Sequence, residues 1–326
     1  MPIMRFATFS FAAIFTAQRA HAACSPSAEF GCLPVSLFSA DGHDARLRYA
    51  PEFAMRAPWS WSGGLDVHGA LDPLRVSPNN PSTPESAEAL VHERLEATLR
   101  GSTALSRAWV LHLAAPLVLG QSGVVGARSG ARSPVASQAF GDARVGVAFR
   151  AHLAPRVSFA SRVSLALPTA SENAYAGSRA AVLSPDVSIQ VRPGIVVAYL
   201  SARARTELTD RAPHDAPTTW AGAALGVQFA PWGQALAFHS EFLGYTALNT
   251  MAPYAQDRSG GTRTDLPGQR LVPLQISAGA SSRGLLCSAC TVHASIGSSP
   301  SSALAPAVSG VLRFEFVSER AEGGSQ

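Results

Sequence analysis

VHERLEATLR, residues 91–100, alternates almost without a break. Its even-numbered side chains, His92, Arg94, Glu96, Thr98 and Arg100, are polar, whereas Val91, Leu95, Ala97 and Leu99 opposite them are apolar; Glu93 is the exception. A period of two is that of a β-strand with one wet and one greasy face. In a soluble sandwich the greasy face would meet a core. In an outer-membrane barrel it would meet lipid, and the wet face would line the lumen. The rest of the chain decides between these two.

Many segments repeat the pattern. DARVGVAFRAHL (142–153) sets Ala143, Val145, Val147, Phe149 and Ala151 against Arg144, Gly146, Ala148, Arg150 and His152. VSFASRVSLAL follows with Val157, Phe159, Val163 and Leu165 against Ser158, Arg162 and Ser164. WSWSGGLDVHG, AWVLHLAAPLVL, DVSIQVR, VVAYLSARARTEL, WAGAALGVQF, LAFHSEFLGY, PLQISAGA, TVHASIG and VSGVLRFEF keep the rule with varying clarity, giving about twelve strands. Most approach the roughly 9 to 11 residues that cross a bilayer at a tilt, and single-chain bacterial barrels use even strand numbers.

The connections alternate in length. Long ones are expected at 70–86, 121–141, 168–185, 209–219, 250–269 and 298–306, and short ones at 101–106, 154–156, 192–194, 230–233 and 281–289. Long loops on one side and short turns on the other mark an up-and-down meander threaded through a membrane. A Greek-key sandwich has no reason to sort its loops in this way.

The wet face carries Arg94, Arg100, Arg144, Arg150, Arg162, Arg192, Arg203 and Arg205, with Glu96, Glu207 and Glu241 available to pair across strands. Unpartnered charges in a dry core would each cost several kcal/mol, whereas a wet lumen accepts them. The expected fold is therefore all-β, an up-and-down antiparallel transmembrane β-barrel of about twelve strands. A soluble secreted sandwich is the weaker reading.

With 326 residues, 47% of them hydrophobic and 15% charged, the chain is too apolar to be disordered. Every one of its 26 basic residues is arginine, spread along the sequence rather than clustered, so no nucleic-acid partner is expected. MPIMR, the apolar FATFSFAAIFTA and the Ala20-His21-Ala22 cleavage site read as a signal peptide, 1–22. A lipoprotein reading at Cys24 is disfavoured by His21, where a leucine would be expected. The expected organisation continues with a short N-terminal periplasmic segment at 23–57, the barrel at 58–316 and a C-terminal tail at 317–326. After export, Cys24 with Cys32 and Cys287 with Cys290 are candidate disulfides. Neither pair has histidines at ligand spacing, and no metal is expected.

FGDARVGVAFRAHL, the LALPTASENAYAG that follows, and DPLRV with LVHERLEATLRGSTALSRAWVLHLAAPLVLGQSG resemble a barrel family of high-GC Gram-negative envelopes. The likeness covers about Trp59 to Phe316, on the short motifs GD-x-R-x-G and LPT. Members often carry an OmpA-like peptidoglycan-binding domain after the barrel, and the family is similar to transporter barrels linked to phenol meta-degradation. The resemblance implies outer-membrane localisation and passage of a small solute. After Phe316 this sequence has VSERAEGGSQ where that domain would stand. Phe314 and Phe316 resemble the aromatic ending by which the barrel-assembly machinery recognises a last strand.

Enzyme motifs are missing: no GxSxG, HExxH, P-loop or GxGxxG occurs. His92, His112, His239 and His293 sit singly on separate strands, and Ser240 points away from its neighbour His239. The expectation is no enzyme and no cofactor, but an outer-membrane channel or transporter for a small anionic or aromatic solute, with lipid around it. The arginines and glutamates of the wet face would line its path. The alternative is a closed structural or surface-interaction barrel whose arginines and glutamates fill the lumen.

Overall fold

The computed structural model describes residues 47–50, 52–76, 88–126, 132–170, 180–208, 219–232, 235–248, 273–299 and 306–318. The signal peptide, Cys24 and Cys32 lie outside them. Their strands are β1 (Trp61–Val76), β2 (Glu88–Ala104), β3 (Trp109–Gly126), β4 (Arg132–Pro134), β5 (Ala139–Phe140), β6 (Arg144–Ala154) and β7 (Val157–Ala166). There follow β8 (Ala181–Val191), β9 (Val196–Leu208), β10 (Thr219–Phe229), β11 (Ala237–Ala247), β12 (Leu274–Arg283), β13 (Cys290–Ser298) and β14 (Val308–Ser318). The short β4 and β5 pair only with β3. The others pair antiparallel with their neighbours, and β14 returns to β1 from Trp61↔Ser318 to Leu71↔Val308, closing a ring of twelve strands among the described residues.

Burial is inverted relative to a soluble protein. Leu99 is 64% exposed, Leu200 62% and Ile296 63%, whereas Arg150 is 1% and Arg313 0% exposed. Outward aliphatic side chains and inward charges are what lipid outside and a polar bore inside require. Closure pairs the first strand of the ring with the last, the condition for a β-structure in hydrocarbon.

The ends of the ring are unequal. The turns at 105–108, 155–156, 192–195, 230–236 and 284–289 are short, and both Trp61 and Ser318 stand at their end. At the opposite end, β1, β2 and β3 run to 16, 17 and 18 residues, taller than the rest. They occupy sequence expected to be loop, because the ladder continues past irregularities instead of stopping. Between Leu71 and Leu74 the register shifts around Asp72, whose φ of 47° lies in the left-handed region that Asp tolerates. β8 likewise begins inside the expected loop and contains Pro185, where the ladder to β9 skips from Leu183↔Thr206 to Asp186↔Arg203.

A larger difference precedes β1. Of the N-terminal segment expected to be periplasmic, the described residues 47–50 and 52–57 run inside the barrel. Leu47, Arg48, Tyr49, Ala50 and Phe53 are all at most 1% exposed. Their backbone is satisfied by charged wall residues rather than by water, which is why the segment can lie in the bore. The expected tail also begins later, since Val317 and Ser318 belong to β14.

Candidate functional site

The bore is built from the inward positions of the strands and from the segment that crosses it. Midway along, Glu241 on β11 accepts the backbone N–H of Arg48 at 2.7 Å and that of Tyr49 at 3.0 Å, and the Tyr199 hydroxyl at 2.5 Å. Opposite, Arg313 on β14 donates to the Leu47 carbonyl at 2.9 Å, and Arg203 on β9 donates to the Tyr49 carbonyl. The Tyr49 hydroxyl donates to Gln275 at 2.6 Å, and Arg48 donates to Ser309 at 2.9 Å. The Tyr49 side chain is fully buried among these partners.

Nearer the short-turn end a second anchor repeats the logic. Glu52 of the segment meets Arg150 of β6 and its own neighbour Arg56, both at 2.7 Å. Arg150 also donates to the Ala54 carbonyl at 2.6 Å, while Arg56 reaches Ser102 at 2.9 Å and Glu315 at 3.3 Å. Arg48 also lies 3.1 Å from His68 of β1, so charged and polar side chains tie the segment to β1, β2, β6, β9, β11, β12 and β14.

The wall has ion pairs of its own. Asp66 on β1 takes the guanidinium fork of Arg313 at 3.0 and 3.1 Å and Arg100 at 2.9 Å. Asp186 on β8 binds Arg203 at 2.8 Å and approaches Arg162 at 3.9 Å, while Ser188 and Ser201 donate to it. Arg94 pairs with Glu96 at 2.6 Å. The inner wall also lines a cavity of about 80 Å³, room for several water molecules. Its lining includes five arginines, Arg100, Arg144, Arg162, Arg203 and Arg205, and four carboxylates, Asp66, Glu96, Asp142 and Asp186. The arginines outnumber the carboxylates by one, a small positive bias.

Small residues make room for the large ones. A Cβ at Gly226 would collide with the Tyr199 ring, and one at Gly222 would lie 2.5 Å from that of Tyr245. Gly279 lies under His239, which stacks on His293 with ring centroids 4.7 Å apart.

Of the residues named from sequence, Arg94, Glu96, Arg150, Arg162, Arg203 and Glu241 are buried in the bore, and Arg100 is nearly so. Arg144, Arg205 and Glu207 are half-buried on the same inner face. Arg192 departs from expectation: it lies past the end of β8, exposed at the short-turn rim, with its Nε donating to Gln190 at 2.7 Å. It keeps the parity of the inner face and leans back over the buried Gln190 at the rim, beyond the end of the ladder. Cys287 and Cys290 form a disulfide in the β12–β13 turn, with Cα atoms 5.0 Å apart. Ser240 is exposed on the outer face while His239 is buried on the inner one.

Sequence reading did not single out Asp66, Asp186, Arg313, Glu315, Gln275 or Tyr199. Most could have been found by extending the alternation: Ser62, Gly64, Asp66 and His68 share a parity, as do Arg313 and Glu315 between Leu312, Phe314 and Phe316. Residues 47–56 gave no such signal, having no periodicity.

No protein-family model matches the chain, and no curated protein matches it. Among solved structures it is similar to an outer-membrane channel from Pseudomonas putida F1, with a TM-score of 0.57 and 10% identity over 82% of this chain and 98% of that one. Two porins superpose more loosely. KdgM, in complex with disordered oligogalacturonate, has a TM-score of 0.47 and 7% identity over 78% of this chain and 98% of its own. NanC has 0.45 and 10% over 78% and 99%. The class is thereby defined: this chain has the fold of a transmembrane β-barrel of the outer membrane.

Proposed function

We propose that the protein is a passive channel of a Gram-negative outer membrane for small anionic or aromatic solutes, its bore narrowed by residues 47–56. The observation that carries this reading is the polar cavity inside the barrel wall, lined by five arginines. Fixed positive charge along a narrow path favours anions over cations. The four carboxylates beside them keep that preference modest. A cavity of about 80 Å³ admits ions and water; an aromatic solute requires a wider path. The KdgM and NanC porins and the Pseudomonas channel are transport proteins by name, and the reading assigns this chain transport rather than catalysis. The resemblance to barrels linked to phenol meta-degradation makes aromatic carboxylates the first solutes to try. The envelope role includes contact with outer-membrane lipid and with the assembly machinery.

The test is swelling of liposomes loaded with the folded, signal-free protein. Influx of benzoate or acetate well above that of an uncharged sugar of similar size supports the proposal. No influx of any solute would favour the second reading, a closed structural barrel. That reading has its own observation, the network tying residues 47–50 and 52–56 to seven strands.

A further inference from the structure

We infer that the short-turn rim of the barrel is a binding surface for the headgroups of anionic phospholipids in the leaflet it faces. The inference rests on the reading of the chain as an outer-membrane barrel. Four of the five short turns carry an arginine in or beside them: Arg107 between β2 and β3, Arg156 between β6 and β7, Arg192 after β8 and Arg283 at the end of β12. Arg107, Arg156 and Arg192 are exposed, and Arg283 is half-buried. None of these turns contains an acidic residue: their sequences are LSRA, PR, RPGI, APWGQAL and GLLCSA. The carboxylates closest to this end on the inner face, Glu52 and Glu315, are in the bore and engaged by Arg56, Arg100 and Arg150.

The bias belongs to these turns; the sequence that follows Ser318 carries Glu319, Arg320 and Glu322. The long connections mix signs, as Asp210, Arg211 and Asp215 do in one and Asp257, Arg258, Arg263 and Asp265 in another. Aromatic side chains mark the same end as the arginines. Trp59, Trp61, Trp109 and Trp232 are between 48% and 65% exposed, while the remaining tryptophan, Trp220, is buried. Trp61 packs on Phe316 with ring centroids 5.4 Å apart, and Trp109 on Phe149 at 5.1 Å. Tryptophans settle at the headgroup level of a bilayer. Arginines in the turns just beyond them meet the phosphate layer, where a guanidinium makes forked hydrogen bonds to phosphate oxygens. The four arginines are distributed among turns around the ring rather than gathered in one patch. That distribution fits an annulus of headgroups better than a single soluble partner.

The experiment is native mass spectrometry of the folded full chain in micelles containing equal amounts of phosphatidylglycerol and phosphatidylcholine. The wild type should retain phosphatidylglycerol about fivefold or more over phosphatidylcholine, since each basic residue near an anionic surface adds to the attraction. The Arg107→Gln, Arg156→Gln, Arg192→Gln, Arg283→Gln variant should bring that ratio close to one while keeping the heat-dependent gel shift of a folded barrel. Should the fourfold variant not fold, Arg156→Gln with Arg192→Gln should at least halve the ratio. Equal retention of both lipids by the wild type, or an unchanged ratio in a folded variant, overturns the inference and turns the rim over to an acidic soluble partner. Loss of the gel shift from the wild type itself would instead sink the barrel reading, so the two failures are distinguishable.

Discussion

The backbone N–H of Tyr49 donates at 3.0 Å to the Oε1 atom of Glu241, the same oxygen that accepts the Tyr199 hydroxyl. Glu241 also holds the amide of Arg48, so one wall carboxylate secures two consecutive peptide groups of the segment in the bore. Hydrogen bonds to a charged acceptor are worth about 1.5–3 kcal/mol, which makes this carboxylate the strongest single hold on the segment. Glu241→Gln removes the charge and one acceptor oxygen. Residues 47–56 should then become cleavable by an added protease at Arg48 or Arg56 while the barrel resists, and mean conductance should rise about twofold or more. A segment as protected as in the wild type would contradict this role.

Arg203 joins the wall's Asp186 to the Tyr49 carbonyl, whereas Arg94 meets its neighbour Glu96 on the same strand. Arg203→Ala leaves a buried carboxylate with Arg162 as its remaining charged partner, at 3.9 Å. Breaking a buried pair in this way costs about 3–5 kcal/mol. The variant should therefore lose its heat-dependent gel shift at a lower temperature, and the arginine surplus in the cavity should disappear with its anion preference. Arg94→Ala should change selectivity less, because Arg94 is outside that cavity lining. Equal effects of the two substitutions would contradict the assignment of the cavity as the path.

The glycines inside the bore are requirements of packing. Gly226→Val should drive a side chain into the Tyr199 ring and against Glu241. Overpacking of this kind costs about 1–3 kcal/mol. Refolding yield should fall, and Tyr199→Ala in the same chain should restore part of it. Absence of rescue would show that the ring is not what the glycine accommodates.

The Cys287–Cys290 disulfide closes a loop with a sequence separation of only 3. A loop that short removes little unfolded-state entropy, so its chain-entropy contribution is about 2 kcal/mol. Replacing both cysteines by serine should leave conductance unchanged and lower the gel-shift midpoint slightly. A collapse of folding would mean that the turn does more than close a hairpin.

The barrel was legible in the sequence because every strand separates lipid from a polar bore, and that difference writes a period of two into each segment. Arg94, Glu96 and Arg150 could be assigned to the inner face for this reason. Partners could not be read, since register decides them: Arg100 meets Asp66 only because Gly64 pairs with Arg100 across β1 and β2. Alternation gave the parity of Arg192 but not its exposure at the rim, since the ladder ends one residue earlier. Residues 47–56 were illegible on physical grounds. A chain lying in a bore has wall on every side, so it presents no wet and dry faces to alternate, and its hydrogen bonds come from positions nearly 200 residues away, as with Arg48 and Glu241.

The most direct test of the central claim is single-channel recording of the folded, signal-free protein in a planar bilayer, with reversal potential measured across a salt gradient. The account predicts small discrete steps with a modest anion preference, and larger steps when residues 47–56 are replaced by a Gly/Ser stretch of equal length. Silence from both proteins, each with the gel shift of a folded barrel, would contradict it.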